Sequence, residues 1–175
     1  PAFCPDVLVD AILAKENLGT KITDAPVVIA LGPGFTAGVD CHAVVETMRG
    51  HTLGRVYYEG TALKNTGVPG DVGGFTIERI LRAPCAGEFR GVHHIGDTVE
   101  AGEVCAYVGR FKVCSAIRGT LRGLLPDGTQ VFKGMKSGDV DPRCRVEHCF
   151  TVSDKALSIG GGVLEALLHL TKAIN

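Results

Sequence analysis

The sequence predicts an α/β (α+β) fold into which a duplicated all-β module is inserted. Three observations lead to this prediction: a continuous apolar run at 25–31, two similar units at 83–104 and 115–136, and helical periodicity at 153–174. We expect the α/β domain to comprise residues 1–80 and 146–175, and the β module to comprise residues 81–145.

The composition is that of a globular protein and points to neither a nucleic acid nor a membrane as partner. Hydrophobic residues make up 45% and charged residues 21% of the 175 positions, and the formal net charge is -1. Such a chain lacks the overall attraction to phosphate that drives nucleic-acid binding. No apolar stretch approaches the roughly 20 residues of a membrane-spanning helix. Seven cysteines without a CxxC spacing are typical of reduced thiols in the cytoplasm. Because the sequence starts at Pro1 without a methionine, we expect it to be a processed or truncated piece of something longer.

The first predicted element is a helix from about Val7 to Asn17. Asp6 is a suitable N-cap, and Gly19 follows the predicted end. The apolar residues near helical spacing are Val7, Leu8, Ala11, Ile12 and Leu18.

The next elements are strands separated by glycine-rich turns. The run "APVVIAL" at 25–31 is apolar and β-branched, as in a strand that is buried on both faces. "GPGF" at 32–35 then predicts a turn. "CHAVVET" at 41–47 fits a helix or a strand, and we favour a strand because Gly38 and Gly50 bound it closely. "LGRVYYEG" at 53–60 predicts a clearer strand, and 64–74 predicts a loop.

Residues 83–104 and 115–136 repeat one another at a constant offset of 32 (115 − 83). Each unit has the pattern of a short strand, a Gly-Asp or Asp-Gly turn and a second short strand. A module with pseudo-twofold symmetry is the expected result. The identical pairs are Gly87 and Gly119, Arg90 and Arg122, Gly91 and Gly123, Gly96 and Gly128, Val99 and Val131, and Gly102 and Gly134.

This duplicated pattern resembles the barrel-sandwich hybrid of biotinyl and lipoyl carrier domains. Those carriers present a modified lysine at the tip of an exposed hairpin between their repeats. Here Lys112 lies three residues before the second unit, whereas Val108 and Gly109 are nearer the position of the tip. We therefore expect neither biotin nor lipoate, and we assign the module a structural or docking role.

Residues 153–174 predict a C-terminal helix. Ser153 is a good N-cap, and Asp154 places a negative charge in the first turn. Gly160, Gly161 and Gly162 interrupt the apolar pattern at a cost of roughly 1 kcal/mol each relative to alanine. Either the helix breaks there, or its bare backbone lies close to another element or a ligand. We favour close packing.

The segment 32–51 is the best candidate for a functional site. It follows a predicted buried strand, and open α/β sheets bind ligands beyond the carboxyl ends of their strands. Glycine amides can hold an anion, carboxylates and imidazoles can bind a metal or transfer protons, and guanidinium groups can bind phosphate or carboxylate. A hydrogen-bonded network that braces a glycine-rich turn is the competing interpretation. The candidate ligand-binding residues are Gly34, Asp40, His42, Glu46, Arg49, His51, Arg55 and Asn65.

Two cysteines are candidates for a reactive thiol. Cys41 lies inside the polar segment, and Cys85 opens the first β unit. A neighbouring arginine or histidine would favour the thiolate of either residue. "CRVEHC" at 144–149 is a weaker candidate for zinc, because adjacent ligands rarely chelate one ion. "GDVDPR" at 138–143 predicts a turn in which Arg143 pairs with Asp139 or Asp141.

Several longer stretches resemble the YqeB-type accessory proteins of selenium-dependent molybdenum hydroxylase systems. Members of that family are usually longer and carry an upstream glycine-rich segment that looks nucleotide-binding, which this sequence does not contain. The resemblance covers nearly the whole chain. The stretches that carry it are "DVLVDAILAKENLGT", "ALGPGFTAGVDCHAVVETMRGH", "LGRVYYEG", "NTGVPG", "LRGLLPDGTQV", "GDVDPR" and "SDKALSIGGGVLEALL".

The resemblance implies an accessory or maturation factor for a xanthine-dehydrogenase-like molybdenum hydroxylase. Such a factor would handle or insert labile selenium or a molybdopterin-type cofactor. Its implied partner is the hydroxylase apoprotein, and a second copy of the chain is a further candidate. Two other functions stay open: a metal-dependent hydrolase or transferase that uses Asp40, His42 and Glu46, and a ligand-free scaffold. The resemblance supplies no catalytic residues.

Overall fold

The computed structural model describes residues 4–173, which form two compact units: residues 4–67 with 152–173, and residues 68–151. Most of the regular structure is β-strand, and the one long helix lies near the C-terminal end. The strands are β1 (Val7–Asp10), β2 (Val27–Leu31), β3 (Thr36–Ala37), β4 (Ala43–Val45), β5 (Val56–Tyr57), β6 (Gly60–Thr61), β7 (Ile80–Arg82), β8 (Gly87–Gly91), β9 (Thr98–Val99), β10 (Val104–Val108), β11 (Phe111–Cys114), β12 (Gly119–Leu124), β13 (Gln130–Val131) and β14 (Lys136–Asp141). The helices are a 3-10 turn (Ile77–Arg79), α1 (Glu147–Phe150) and α2 (Asp154–Leu170).

The first unit is built on a four-stranded sheet in the order β1-β2-β4-β5. Strands β1, β2 and β4 are parallel, and β5 runs antiparallel to β4. Every residue of β2 is buried, which confirms the prediction of a strand covered on both faces. The prediction of a strand within 41–47 is confirmed by β4.

Helix α2 covers one face of this sheet. Ile159 and Ala166 pack with Ile29 of β2, while Val28 and Phe35 belong to the core on the opposite face. The Ser153 hydroxyl accepts a hydrogen bond from the N–H of Ala156, as an N-cap does.

The helix passes through its three glycines without a break, and the close packing expected there holds at Gly162. A β-carbon at Gly162 would meet the carbonyl oxygen of Gly54 and lie 2.7 Å from Val45 Cγ1. At Gly160 and Gly161 the same atom would have nothing within 4 Å. Only one of the three glycines is therefore required by packing.

The prediction of a helix over 7–17 is wrong. Val7–Asp10 instead forms strand β1, which pairs with Val27–Ala30 of β2. The chain that follows is irregular, with positive φ at Leu13 and Lys15. The Asp10 carboxylate fixes this segment because it accepts hydrogen bonds from the Ile12 N–H and the Thr20 hydroxyl.

The predicted strand at 53–60 is shorter than expected. Only Val56–Tyr57 and the separate pair Gly60–Thr61 are in strands. Gly54 and Gly60 both have a φ of +81°, a conformation that leaves the extended region and limits β5 on each side. The predicted loop at 64–74 contains no named strand or helix.

The second unit contains two four-stranded sheets, β11-β10-β8-β13 and β7-β14-β12-β9. The 32-residue repeat is visible in the pairing itself. Glu88 of β8 pairs with Gln130 of β13, and the equivalent Thr120 of β12 pairs with Thr98 of β9. Each repeat therefore places one strand in the other repeat's sheet, and a single core joins both halves.

The hairpin between the repeats consists of β10 and β11, with Gly109 and Arg110 at its tip. Lys112 lies within β11 and pairs with Tyr107. This lysine is therefore not at the position where a carrier domain presents its modified residue.

Candidate functional site

The predicted segment 32–51 is divided between two opposite edges of the first sheet. Gly34 and Glu46 lie where β2 and β4 end, which we call the carboxyl edge. Asp40 and His42 lie before β4 begins, at the amino edge. His42 and Glu46 are four residues apart along an extended chain, which corresponds to roughly 13 Å. Asp40, His42 and Glu46 therefore do not converge on one point.

At the carboxyl edge, Glu46 is fully buried and bound to backbone. Its Oε1 accepts hydrogen bonds from the N–H groups of Thr47 and Met48, both at 2.8 Å. Its Oε2 accepts one from the N–H of Leu63 at 2.9 Å. A buried carboxylate is costly unless it is satisfied in this way. Glu46 thus ties the loop after β4 to the segment after β6.

The carboxyl edge also carries a cluster of cations beside the start of α2. Arg49 binds Asp154 of α2 through both guanidinium nitrogens, at 2.6 and 2.9 Å. Lys155 lies half-buried next to this pair. Burial, followed by the charges of Lys15 and Arg49, lowers the pKa of Lys155. The first-turn N–H groups of a helix add positive potential at the same place.

Gly34 brings the loop after β1 to this cluster. Its φ is +107°, and a β-carbon there would lie 2.5 Å from the Cα of Glu16. No other residue type fits, and this close approach places Lys15 and Glu16 against the turn after β2. The carboxyl edge is therefore formed by three loops and one helix, as in sheets that bind ligands beyond their strands.

At the amino edge the polar groups are used to hold the backbone. His42 Nδ1 accepts a hydrogen bond from the Val28 N–H at 3.0 Å, and Asp40 accepts one from the Thr36 N–H at 2.7 Å. Cys41 is fully buried between them. Burial, with the charge of Asp40 as a smaller cause, raises the pKa of the Cys41 thiol to about 11. This geometry argues against a reactive thiolate at Cys41.

The side chains of the remaining predicted residues of the first unit lie outside both groups, although the carbonyl oxygen of Arg55 accepts a hydrogen bond from the Glu46 N–H at 2.9 Å. His51 and Arg55 are exposed near the turn that precedes β5. Asn65 is exposed in a loop, where its side-chain oxygen accepts a hydrogen bond from the Gly67 N–H. These three residues are not brought to the carboxyl-edge cations by any contact that the structure records.

In the second unit, Cys85 is half-buried, and its thiol donates to the carbonyl oxygen of Val108 at 3.8 Å. The seven cysteines, all within residues 4–173, form no disulfide bond. Within those residues no group of three or more His, Cys, Asp or Glu side chains is placed to hold a metal ion. This includes the "CRVEHC" stretch.

The predicted pairing of Arg143 is with Asp141. Arg143 donates to Asp141 from Nε at 2.9 Å and from a terminal nitrogen at 2.6 Å. Arg122 and His148 also approach this carboxylate, at 3.6 and 3.8 Å. The Arg143 hydrogen bonds above all, followed by the charges of Arg143 and Arg122, lower the pKa of Asp141 to about 2. The cluster locks the end of β14 to β12 and to the segment before α1.

A pocket of about 250 Å³ in the second unit was not foreseen. It is lined by the turn 91–95 and by its repeat equivalent 124–127. His93 is one of the lining residues and bridges Asp97 and Glu103, at 3.6 and 3.0 Å. The signal in the sequence that could have predicted this pocket is the 32-residue offset of the repeat, because it relates the two turns that line it.

No family model matches the chain. Over 166 residues, which are 95% of the chain, it is 56% identical to a protein of Escherichia coli (strain K12) described as "Uncharacterized protein YqeB". The chain spans 31% of that relative's length. The similarity supports the YqeB-type resemblance seen in the sequence motifs.

A crystal structure of succinylglutamatedesuccinylase/aspartoacylase from Rhodobacter sphaeroides is a distant structural neighbour. It shares 19% identity and a TM-score of 0.32, and the match covers 36% of this chain and 21% of that one. A similarity of this size carries no argument about fold or function. In residues 4–173, no helix combines the length and the apolar character needed to cross a bilayer.

Proposed function

We propose that the protein is an accessory or maturation factor for a selenium-dependent molybdenum hydroxylase, and that it handles or inserts labile selenium or a molybdopterin-type cofactor. The YqeB-type resemblance suggests the system. The observation that carries the proposal is the group of cations at the carboxyl edge of the first sheet, where Lys15, Arg49 and Lys155 meet the start of α2.

The chemistry of this edge suits an anion. Hydroselenide and the phosphate of a pterin cofactor are both negatively charged near neutral pH. Lys15 and Lys155 would supply the countercharge, and the N–H groups in the first turn of α2 would add hydrogen-bond donors. Arg49 is held by Asp154, so its role is to fix the loop after β4 against the helix.

The β module has the docking role in this proposal. We assign it to the barrel-sandwich-hybrid type, which the duplicated strands and their exchange between two sheets support. Its partner would be the hydroxylase apoprotein.

The test is complementation of a host strain that lacks the protein. The full-length protein carrying Lys15→Ala and Lys155→Ala should leave the hydroxylase present but with most of its activity and its selenium or molybdenum content lost. The matched control, Lys21→Ala with Lys64→Ala, removes two exposed lysines of the same unit and should behave as wild type. Wild-type hydroxylase activity with the first variant would refute the role of the carboxyl edge.

A ligand-free scaffold is the second candidate. It is favoured by the hydrogen bonds that engage Asp40, His42 and Glu46 with backbone N–H groups. A ligand that binds only the folded state raises the melting temperature. A melting temperature unaffected by molybdate, molybdopterin compounds, selenide and nucleotides would support the scaffold.

A further inference from the structure

The outer face of the sheet β11-β10-β8-β13 carries a row of basic and aromatic side chains. Tyr107 of β10 pairs with Arg90 of β8 on one side and with Lys112 of β11 on the other. The neighbours Phe89 and Val113 point into the core, so the row lies on the opposite, solvent-facing side of the sheet.

Two arginines, one in this row and one at the hairpin tip, lie over aromatic rings. The Arg90 guanidinium is 5.9 Å from the centre of the Tyr107 ring, and that of Arg110 is 5.4 Å from the centre of the Phe111 ring at the hairpin tip. Phe111 pairs with the buried Val108 and shares the side of the sheet that carries Val113, so its ring, which is 48% exposed, lies at the tip and outside the row. The contacts hold the cations in place without neutralising them.

Within residues 4–173, no carboxylate lies within 4 Å of the charged groups of Arg90, Arg110 or Lys112. Glu88, two positions from Arg90 on β8, is the acidic residue of the same strand. Glu88 is on the same face as Arg90, but within residues 4–173 none of the three cations forms an ion pair with it or with another carboxylate.

The other repeat provides an internal comparison. Arg122 is the equivalent of Arg90, and it lies 3.6 Å from Asp141. At the position equivalent to Tyr107 (107 + 32), the second repeat has Asp139, which binds Arg79 at 3.1 Å. One sheet thus neutralises its own cations, whereas its symmetry partner leaves them available.

We infer that this face, formed by Arg90, Tyr107 and Lys112 with Arg110 at the hairpin tip, binds an acidic segment of a protein partner. Neighbouring strands are about 4.8 Å apart, so Arg90 and Lys112 are separated by roughly 10 Å across the sheet. In an extended segment of the polyproline II type, which has three residues per turn and a rise of about 3.1 Å per residue, two acidic residues three positions apart lie on the same side and span about the same distance. Tyr107 lies between Arg90 and Lys112 and so faces the part of the segment between its two acids.

An acidic protein segment suits this face better than a nucleic acid does. Three cations release few counterions, and a chain with a net charge of -1 adds no general attraction to phosphate. The inference extends the docking role proposed above for the β module. Its test uses neither hydroxylase nor selenium nor molybdenum, so the two proposals can fail separately.

The test is fluorescence anisotropy with the intact protein in about 50 mM salt, where surface charges are weakly screened. The probe is a fluorescein-labelled peptide, Glu-Leu-Ser-Glu-Leu-Ser-Glu, whose acids are three positions apart. A peptide of the same composition with its three glutamates adjacent is the spacing control. We expect the first peptide to bind at least fivefold more tightly than the second.

The variant Arg90→Ala/Lys112→Ala should weaken binding at least tenfold. The matched control Arg118→Ala/Lys133→Ala removes the same charge from exposed positions of the same module and should change it less than twofold. Circular dichroism melts of both variants verify folding. Absence of peptide binding, equal losses in the two variants, or tighter binding of an oligo-dT strand than of the peptide would overturn the inference.

Discussion

Replacing Gly162 by alanine tests how tightly α2 packs on its sheet. In an open helix this change stabilises by about 1 kcal/mol, because glycine loses more backbone entropy on folding. At Gly162, however, the new methyl would meet the Gly54 carbonyl oxygen and lie 2.7 Å from Val45 Cγ1, well inside the roughly 3.5–4.0 Å of normal carbon contacts. A backbone carbonyl cannot rotate away, so the helix must move, at a cost near the upper end of about 1–3 kcal/mol. We expect a net loss of about 2 kcal/mol.

Gly161→Ala is the matched control, because a β-carbon there has nothing within 4 Å. It should stabilise by about 1 kcal/mol, which separates the two variants by about 3 kcal/mol. Urea unfolding followed by the helical circular dichroism signal measures both, since α2 is the only helix of the described residues longer than four residues. Equal stabilisation by the two substitutions would refute the packing argument.

Three further predictions concern the polar groups. Glu46→Ala should destabilise the protein by at least about 3 kcal/mol in urea unfolding, because three backbone N–H groups lose their acceptor; a loss below 1 kcal/mol would contradict this. Arg49→Ala should cost no more than about 1 kcal/mol, since the Asp154 pair is exposed, and a loss above about 2 kcal/mol in the same assay would contradict this. Asp141→Asn should cost about 2 kcal/mol at pH 7, because the carboxylate's pKa is about 2 when folded and near 3.9 when unfolded. That stability is present above about pH 4 and is lost as the pH falls through about 2, so the gap between wild type and variant should close in acid; a constant gap from pH 7 to 2 would be inconsistent with the ion-pair cluster.

The elements that could be predicted from the sequence are those with a strong local signal. The apolar run at 25–31 has few alternatives to a buried strand, and β2 occupies 27–31 of it. The repeat was visible because turn glycines recur at a fixed offset. The structure extends it to whole strands, since β8 and β12 begin at the equivalent Gly87 and Gly119.

The segment after Asp6 was predicted wrongly because its few apolar residues fit the spacing of a helix as well as that of a strand. What decides its conformation is distant in sequence: the pairing of Val7–Asp10 with β2, and the hydrogen bond from the Thr20 hydroxyl to Asp10. Neither contact can be inferred from the local pattern of apolar and polar residues. Strand pairing between distant segments is the part of a fold that a single sequence shows least.

The sequence predicted which segment carries the candidate site, but it did not predict how the side chains of that segment are arranged in space. Asp40, His42 and Glu46 are close in sequence, yet β4 runs between them and carries Glu46 to the far edge of the sheet. Lys15 and Lys155 were missed because they come from the two ends of the chain. The Gly34–Glu16 contact and the Arg49–Asp154 pair help to bring those segments to the carboxyl edge.

The most direct test of the proposed function is elemental analysis of the full-length protein, purified without oxygen from its native host. Plasma mass spectrometry should find selenium or molybdenum approaching one atom per chain. The element should be lost in the Lys15→Ala/Lys155→Ala variant and kept in the Lys21→Ala/Lys64→Ala control. Neither element above background, or full retention in the first variant, would contradict an anion site at the carboxyl edge.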